Sequence, residues 1–313
     1  MAHEDDIKKE FAKKEGVTDL GKVELGKSMD DKELKEIRES SGYIGLDLSL
    51  LPSGGRFYRD DFKLMIRAAR VGEIRDYSTL NEEDLKDVDD KLNNILVSCT
   101  RILYGSQKGS YKDILEEDRI YVILSIRELT FKEGEAKLMM PVKGKNCSIS
   151  PCKAQTSVEL KTSNVQFHEK DETLEKYYNP ETRSFSIETK SFGIINMAPP
   201  TIGVMRALTD YIRDKEQNGQ SWDKSILAII PYIQREWRSF NANEIFNLET
   251  SMTGWDIKKY NLIYSLAQKM KIGLKPEFIF GCESCGAEVT VPLTFPGGIR
   301  SLFVFSDISS ELL

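Results

Sequence analysis

Histidine is scarce in this sequence. His3 and His168 are its two histidines in 313 residues. Histidine is the most frequent general acid or base near neutral pH, and it is also a common ligand of catalytic metals. The scarcity therefore argues against histidine-based catalysis and against a histidine-rich metal site.

Familiar catalytic and nucleotide-binding motifs are also missing. The sequence has no Gly-x-Ser-x-Gly elbow, no His-Glu-x-x-His and no dinucleotide fingerprint. The stretch Ser53–Gly55 looks like part of a phosphate loop but lacks the Lys-Ser/Thr pair that a Walker loop needs. We expect a protein that is not an enzyme, and we assign no catalytic residue.

Long apolar runs are absent as well. No run approaches the roughly 18 residues that a membrane-spanning helix needs, and the N-terminus lacks the apolar core of a signal peptide. We therefore expect no membrane contact and a protein that stays in the compartment where it is made. The net charge of -6 argues against a nucleic-acid partner. An odd number of cysteines fits a reducing compartment better than a disulfide scaffold.

Four of the five cysteines form two pairs, and each pair leads into an alternating apolar strand. Cys147 and Cys152 are spaced C-x4-C, whereas Cys282 and Cys285 are spaced C-x2-C. Two such turns can supply the four thiolates of one structural zinc, as in a zinc ribbon. Free thiols are the alternative. Redox chemistry is disfavoured because strand-like residues follow Cys285, whereas a reactive thiolate is favoured at the N-terminus of a helix.

The first part of the chain is predicted to contain a hairpin and two helices. Residues 45–51 and 62–68 alternate like strands around the turn Leu51–Tyr58. One helix is predicted from a capping box at Thr79 to about residue 105, with Cys99 on its apolar stripe. A second is predicted at about 113–129, where we expect Asp118 and Arg127 to be paired structural charges. Strands are predicted at 157–167 and 184–189.

Residues 198–273 are predicted to be helical. Thr201 begins the first helix, which Asn218 ends, and Ser221 begins the next. Pro231 should kink or split that second helix. A short helix is predicted from Asn243, and a last one begins at about residue 253.

Four motifs follow one another in a characteristic order. They are the Leu51–Tyr58 turn, the Glu117–Arg127 helix, a cysteine pair before a strand, and a Cys-x-x-Cys-Gly turn near the C-terminus. This order resembles the baseplate hub and hub-assembly proteins of contractile-tailed bacteriophages of the T-even type, over about residues 44–313. The resemblance implies a non-enzymatic protein of the virion tail baseplate that is made and assembled in the host cytoplasm. It would act as a hub subunit or an assembly chaperone, and it would bind other baseplate or tail proteins, and other copies of itself, through surface contacts.

The C-terminal segment contains a concentration of apolar residues close to the end of the sequence. Such a segment must either fold back on the protein or dock on a partner. The candidate partner-binding residues are Ile299, Leu302, Phe303, Phe305 and Ile308.

A zinc-ribbon adaptor that binds nucleic acid or transcription machinery is the alternative function. It requires basic residues around the cysteine turns. Lysines flank the first turn, but Glu283 and Glu288 flank the second.

The predicted fold class is α+β: a small β-layer with two cysteine knuckles, packed helices and a helical insertion. Residues 1–40 are predicted to be a charged flexible arm. Residues 41–197 form the α+β domain with the hairpin, two helices and the first knuckle. Residues 198–273 are the helical insertion, and residues 274–313 carry the second knuckle and return to the α+β domain.

Overall fold

The computed structural model of the protein describes residues 42–131, 137–141, 157–233, 241–270, 272–282, 285–295 and 297–304. Three predictions fall outside these ranges. They are the arm at 1–40, the cysteine pair Cys147 and Cys152, and the end of the apolar C-terminal segment with Phe305 and Ile308.

An antiparallel sheet of four strands, which lie side by side in the order of the chain, contains the predicted hairpin. Ile44 lies opposite Ile66 across the first strand pair, which confirms the hairpin. Its first strand is shorter than predicted because Asp47 caps a 3-10 turn at Leu48–Leu50. The strands are β1 (Ile44–Gly45), β2 (Phe62–Ile66), β3 (Thr100–Tyr104) and β4 (Gln107–Lys108).

Two helices, α1 (Val71–Ser78) and α2 (Leu85–Cys99), pack against each other beside this sheet. The predicted helix from Thr79 to about residue 105 was wrong at both ends. Asp84 is the residue that caps α2, through hydrogen bonds from the first backbone N–H groups. The apolar spacing continues beyond Cys99, but those residues pair with β2 as strand β3.

The helix predicted at about 113–129 is also shorter in the structure. Helix α3 spans Arg119–Thr130, and two 3-10 turns precede it. The reason is tertiary: Leu115 forms an isolated antiparallel bridge with Thr201, and Ile202 N–H donates to the Ile114 carbonyl. These backbone groups are therefore unavailable to a continuous helix.

Among the described residues, three further antiparallel sheets are small. The strand at Ser184–Thr189 has the predicted bounds, whereas the strand predicted at 157–167 is three residues long. The sheets consist of β5 (Met139–Pro141) with β6 (Ser157–Glu159), β7 (Tyr178–Asn179) with β8 (Ser184–Thr189) and β9 (Gly193–Met197), and β10 (Glu277–Gly281) with β11 (Glu288–Pro292).

The helices in the second half of the chain begin directly after the residues that cap their N-termini. Thr201 caps helix α5 (Ile202–Gln217) and Asn218 ends it, as predicted. The predicted cap at Ser221 was wrong, because Asp223 accepts the terminal N–H groups instead. Pro231 lies in a 3-10 turn beyond the short helix that follows Asp223. The helices are α4 (Glu172–Glu175), α5 (Ile202–Gln217), α6 (Lys224–Leu227), α7 (Ala242–Thr253) and α8 (Ile257–Lys269).

One large hydrophobic cluster joins the sheets to the helices on both sides of residue 198. It contains Leu96 of α2, Val122 of α3, Met140 of β5, Ile245 of α7 and Phe278 of β10. The combination of helices with several antiparallel sheets confirms the α+β class. Because the helices at 202–269 bury residues in this same cluster, their packing depends on the rest of the protein.

Candidate functional site

The buried carboxylate of Asp118 connects two distant motifs of the sequence. It accepts hydrogen bonds from the backbone N–H of Ser53 (2.9 Å), the Ser53 hydroxyl (2.7 Å) and the Tyr58 hydroxyl (2.7 Å). The Tyr58 hydroxyl accepts a hydrogen bond from the Leu115 N–H (3.0 Å), and Ser53 Oγ accepts one from Gly55 (3.1 Å). The turn at 51–58 is thereby fixed to the start of α3.

Electrostatics support a structural role for this network. Burial raises the pKa of the Asp118 carboxyl, and the hydrogen bonds from Tyr58 and Ser53 oppose that rise. Burial and the neighbouring Asp118 raise the pKa of Tyr58 well above its ordinary value. Asp118 is completely buried, so its carboxylate does not face a solvent-filled site. Asp118 was predicted to be a paired structural charge. It is buried and structural, but its partners in the described chain are hydroxyl and amide donors and not an opposite charge.

Two arginines on α3 are also structural. Arg127 is buried, its guanidinium lies 5.5 Å from the centre of the Phe131 ring, and burial lowers its pKa. Arg119 donates to Asp89 (2.6 Å) and to Glu116 (3.2 Å). The contact between Arg119 and Asp89 could not be predicted from the sequence, because Asp89 belongs to a different helix.

Glu117 lies beside Asp118 but has other surroundings. Burial, and to a smaller extent the nearby carboxylates of Glu116 and Asp118, raise the pKa of Glu117 to about 7. Its side chain packs against the backbone of Gly273, which has a φ of 101°, and a Cβ at that position would collide with Glu117 Oε2. The backbone conformation at 273 therefore favours glycine, and a Cβ there would also displace the end of the Glu117 side chain.

The second cysteine turn lies at the end of the β10–β11 hairpin. Cys282 is 2% exposed and Cys285 is half-buried. The Cys282 carbonyl accepts a hydrogen bond from the Gly286 N–H (2.7 Å), and the Cys282 N–H donates to Ala287 (2.8 Å). The predicted strand after Cys285 is confirmed as β11. Within the described ranges, no group of three or more His, Cys, Asp or Glu residues could hold a metal.

The described part of the C-terminal segment folds back on the protein. Leu302 and Phe303 are 0% and 1% exposed. The Phe303 ring lies edge-on to Tyr77 at 5.1 Å between centroids, and the Tyr77 hydroxyl donates to the Ile299 carbonyl (2.8 Å). A partner could reach Leu302 and Phe303 only by displacing this packing. Partner binding by the segment therefore stays a prediction.

A cleft of about 650 Å³ lies between β9 and the helices α7 and α8. Its lining includes buried apolar side chains and the cations Arg59, Arg183 and Lys259, with no carboxylate among the described lining residues. Sequence reasoning missed this cleft because its walls come from parts of the chain that are far apart in sequence.

Comparison with known protein families decides the identity. A family model described as "T4 bacteriophage base plate protein" matches residues 45–302. The chain belongs to this family. The match includes both motifs that meet at Asp118 and the helices at 202–269. No curated protein and no solved structure gives a significant match.

Family membership confirms the resemblance at the level of a T4-type baseplate protein. The chain is therefore a structural protein of a phage tail baseplate, where it contacts other baseplate or tail proteins. No helix in the described ranges is both long enough and apolar enough to span a membrane. For this baseplate protein, the Asp118 network explains how the 51–58 turn and the start of α3, which are distant in sequence, form one buried unit.

Proposed function

We propose that this baseplate protein acts in the central hub, either as a built-in subunit or as an assembly chaperone. It acts through protein surfaces and catalyses no reaction. The observation that carries the proposal is the role of Asp118, which joins the two sequence motifs, the 51–58 turn and the start of α3, through hydrogen bonds from Ser53 and Tyr58. These motifs shape and stabilise the protein instead of presenting a reactive group to solvent. The order of the motifs along the chain supports the hub in particular.

The proposal includes assembly in the host cytoplasm, binding to baseplate or tail proteins, self-association in the assembled state, and no nucleic-acid partner. The net charge of -6 supports the last point because nucleic-acid affinity depends on neutralising phosphates with cations.

One structural zinc, held by Cys147, Cys152, Cys282 and Cys285, is a second part of the proposal. The support is the position of Cys282 and Cys285 in one tight turn, with Gly286 at a φ of 69°. Four thiolates would leave no open coordination position, so the metal would stabilise the hairpin without taking part in a reaction.

The zinc-ribbon adaptor remains the alternative function, and it shares the same metal. It differs in its partner, because nucleic acid requires a cationic surface near the turn. Glu288 begins β11 directly after the turn and is exposed, which favours the baseplate function.

The decisive experiment is peptide mass spectrometry on purified finished tail particles beside unfinished baseplate intermediates. Stoichiometric recovery from finished particles identifies a hub subunit. Recovery only from intermediates identifies an assembly chaperone that leaves. Absence from both sets of particles would contradict the hub function and favour the zinc-ribbon adaptor.

A further inference from the structure

We propose that the outer edge of β9 and the adjoining cleft bind an extended segment of another protein, in which carboxylates alternate with apolar side chains. The segment would add a strand to the β7-β8-β9 sheet. This inference rests on the proposed assembly function for the source of the partner, but the docking chemistry follows from the residues of the cleft.

The orientation of the β9 backbone is fixed by its neighbours. Ser186 of β8 donates its N–H to Tyr177 (2.9 Å), away from β9, and it lies opposite Asn196 in the register. Opposed residues of an antiparallel pair either bond to each other or both point away. The N–H and C=O groups of Asn196 therefore point out of the sheet. Ala198, two residues further on, donates its N–H in that same direction to Tyr232 (3.0 Å).

The outward edge of β9 is open over most of its length. Ile194 has the same parity as Asn196 and therefore presents its backbone groups outward as well. Within the described ranges, no strand pairs with this edge, and neither of these two N–H groups donates to a backbone carbonyl. The Ile194 side chain is 67% exposed. Such an edge is a template for an added strand, and added strands are a recurring form of peptide recognition.

The surface beside the edge suits apolar side chains. Met197 and Ile263 are buried in the lining, and Leu248 and Trp255 of the opposite wall are half-buried. An extended segment presents alternate side chains to opposite faces. One set of its side chains can therefore enter the cleft while its backbone pairs with β9.

The cations of the cleft favour carboxylates among those side chains of the partner that do not enter the apolar part of the cleft. Arg59 and Arg183 form ion pairs with Asp61 (2.9 Å) and Asp60 (2.6 Å), neither of which lines the cleft. Ion pairs at an exposed surface contribute little, so carboxylates of a partner can compete for these cations.

Lys259 is the third cation, and its environment is different. Its ammonium lies 4.1 Å from the centre of the Trp255 ring, and no ion pair joins it to a carboxylate in the described chain. A concentration of positive charge without a lining carboxylate, in a protein of net charge -6, favours an acidic occupant.

The test uses the full-length protein and a short fluorescent peptide of alternating valine and glutamate, with fluorescence anisotropy as the readout. A matched peptide has lysine in place of glutamate. We expect the acidic peptide to bind and the basic peptide not to bind. Lys259→Glu should weaken binding on the order of tenfold, whereas Lys258→Glu, the same change at the exposed neighbouring position, should leave it unchanged.

A second variant tests the strand pairing separately from the charge. Asn196→Pro removes the outward N–H and is compatible with an edge strand, so it should weaken binding while thermal unfolding shows an intact fold.

Three results would overturn the proposal: no binding of the acidic peptide, equal binding of the basic peptide, or equal effects of Lys258→Glu and Lys259→Glu. A wild-type dimer that Asn196→Pro dissociates would also overturn it, because the occupant would then be a second copy of the chain. Peptide binding is measured without phage particles, so its failure is distinct from absence of the protein from the hub.

Discussion

The hydroxyl of Tyr58 donates a hydrogen bond of 2.7 Å to the carboxylate of Asp118, which lies 60 residues further along the chain. This contact joins the turn at 51–58 to the start of α3. Both groups are buried, so the Tyr58 hydroxyl depends on Asp118 as its acceptor, whereas Asp118 also accepts hydrogen bonds from Ser53.

Tyr58→Phe should lower the free energy of unfolding by about 1–3 kcal/mol. The change leaves the Leu115 N–H and one Asp118 oxygen without the Tyr58 partner in a buried site. Chemical denaturation of the purified variant measures the effect. Tyr264→Phe is the matched control, because Tyr264 is 39% exposed, and it should change stability very little. Equal stability of the two variants would show that the Tyr58 bond contributes nothing.

The pH dependence of stability should report on Glu117. Its pKa in the folded protein is about 7, above the ordinary value of 4.5. A raised carboxyl pKa means that the folded state binds the proton more tightly than the unfolded state, so stability is fully present below about pH 4.5 and falls as the pH rises to about 7. Allowing for partial solvent exposure, the loss should be no more than about 2 kcal/mol.

Denaturation of wild type and Glu117→Gln at a series of pH values isolates this contribution, because other carboxyls titrate in both proteins. The variant should lose less stability than wild type between acid and neutral pH. Glu172→Gln, at an exposed position, should follow the wild-type curve. Parallel curves for wild type and Glu117→Gln would refute the assignment.

Parts of the fold with local signals could be predicted from the sequence. The strand at Ser184–Thr189 and the cap at Thr201 are examples, because alternation and a hydroxyl before an apolar run act within a few residues. The start of α3 could not be predicted in this way. It depends on the pairing of Leu115 with Thr201, which only the folded chain brings together.

The same limit applies to the candidate sites. The sequence identified Asp118 as a structural position but not its donors, because Ser53 and Tyr58 are distant in the chain. The cleft combines Arg59 with Lys259, and no sequence pattern links these two residues. The helix that ends at Cys99 was predicted to be too long, because the apolar residues of β3, from Ile102 onwards, happen to continue the helical spacing of the apolar residues in α2.

Gly273→Ala should destabilise the protein by about 1–3 kcal/mol. Gly273 has a φ of 101°, and the added Cβ would collide with the Glu117 side chain. Gly72→Ala is the matched control, since Gly72 lies in α1 and a Cβ there meets no atom within 4 Å. It should raise stability by about 0.5–1 kcal/mol. Opposite signs for the two changes are the expected outcome in thermal denaturation, and a neutral Gly273→Ala would contradict the packing at Glu117.

Phe303→Ala tests whether the C-terminal segment is part of the core. The ring packs against Tyr77 and is 1% exposed, so its removal should cost about 3–5 kcal/mol. Phe246→Ala is the control at a residue that is 54% exposed, and it should have a small effect. If the two variants unfold at the same denaturant concentration, the segment does not contribute to the core, and docking on a partner becomes the better explanation of its apolar residues.

Cys282→Ser tests the proposed structural zinc. Metal analysis of the purified wild-type protein should find one zinc per chain, and the variant should lose both the metal and thermal stability, because a thiolate ligand contributes to the binding energy that stabilises the fold. Cys99→Ser is the control. Cys99 is buried beside Glu73 in a different part of the fold, so this variant should retain zinc even if it is less stable. Burial of Cys282 alone could make its replacement destabilising, and the zinc content separates that effect from loss of a ligand. A wild-type protein without zinc, whose melting temperature is unchanged by a chelator, would leave the four cysteines as ordinary thiols.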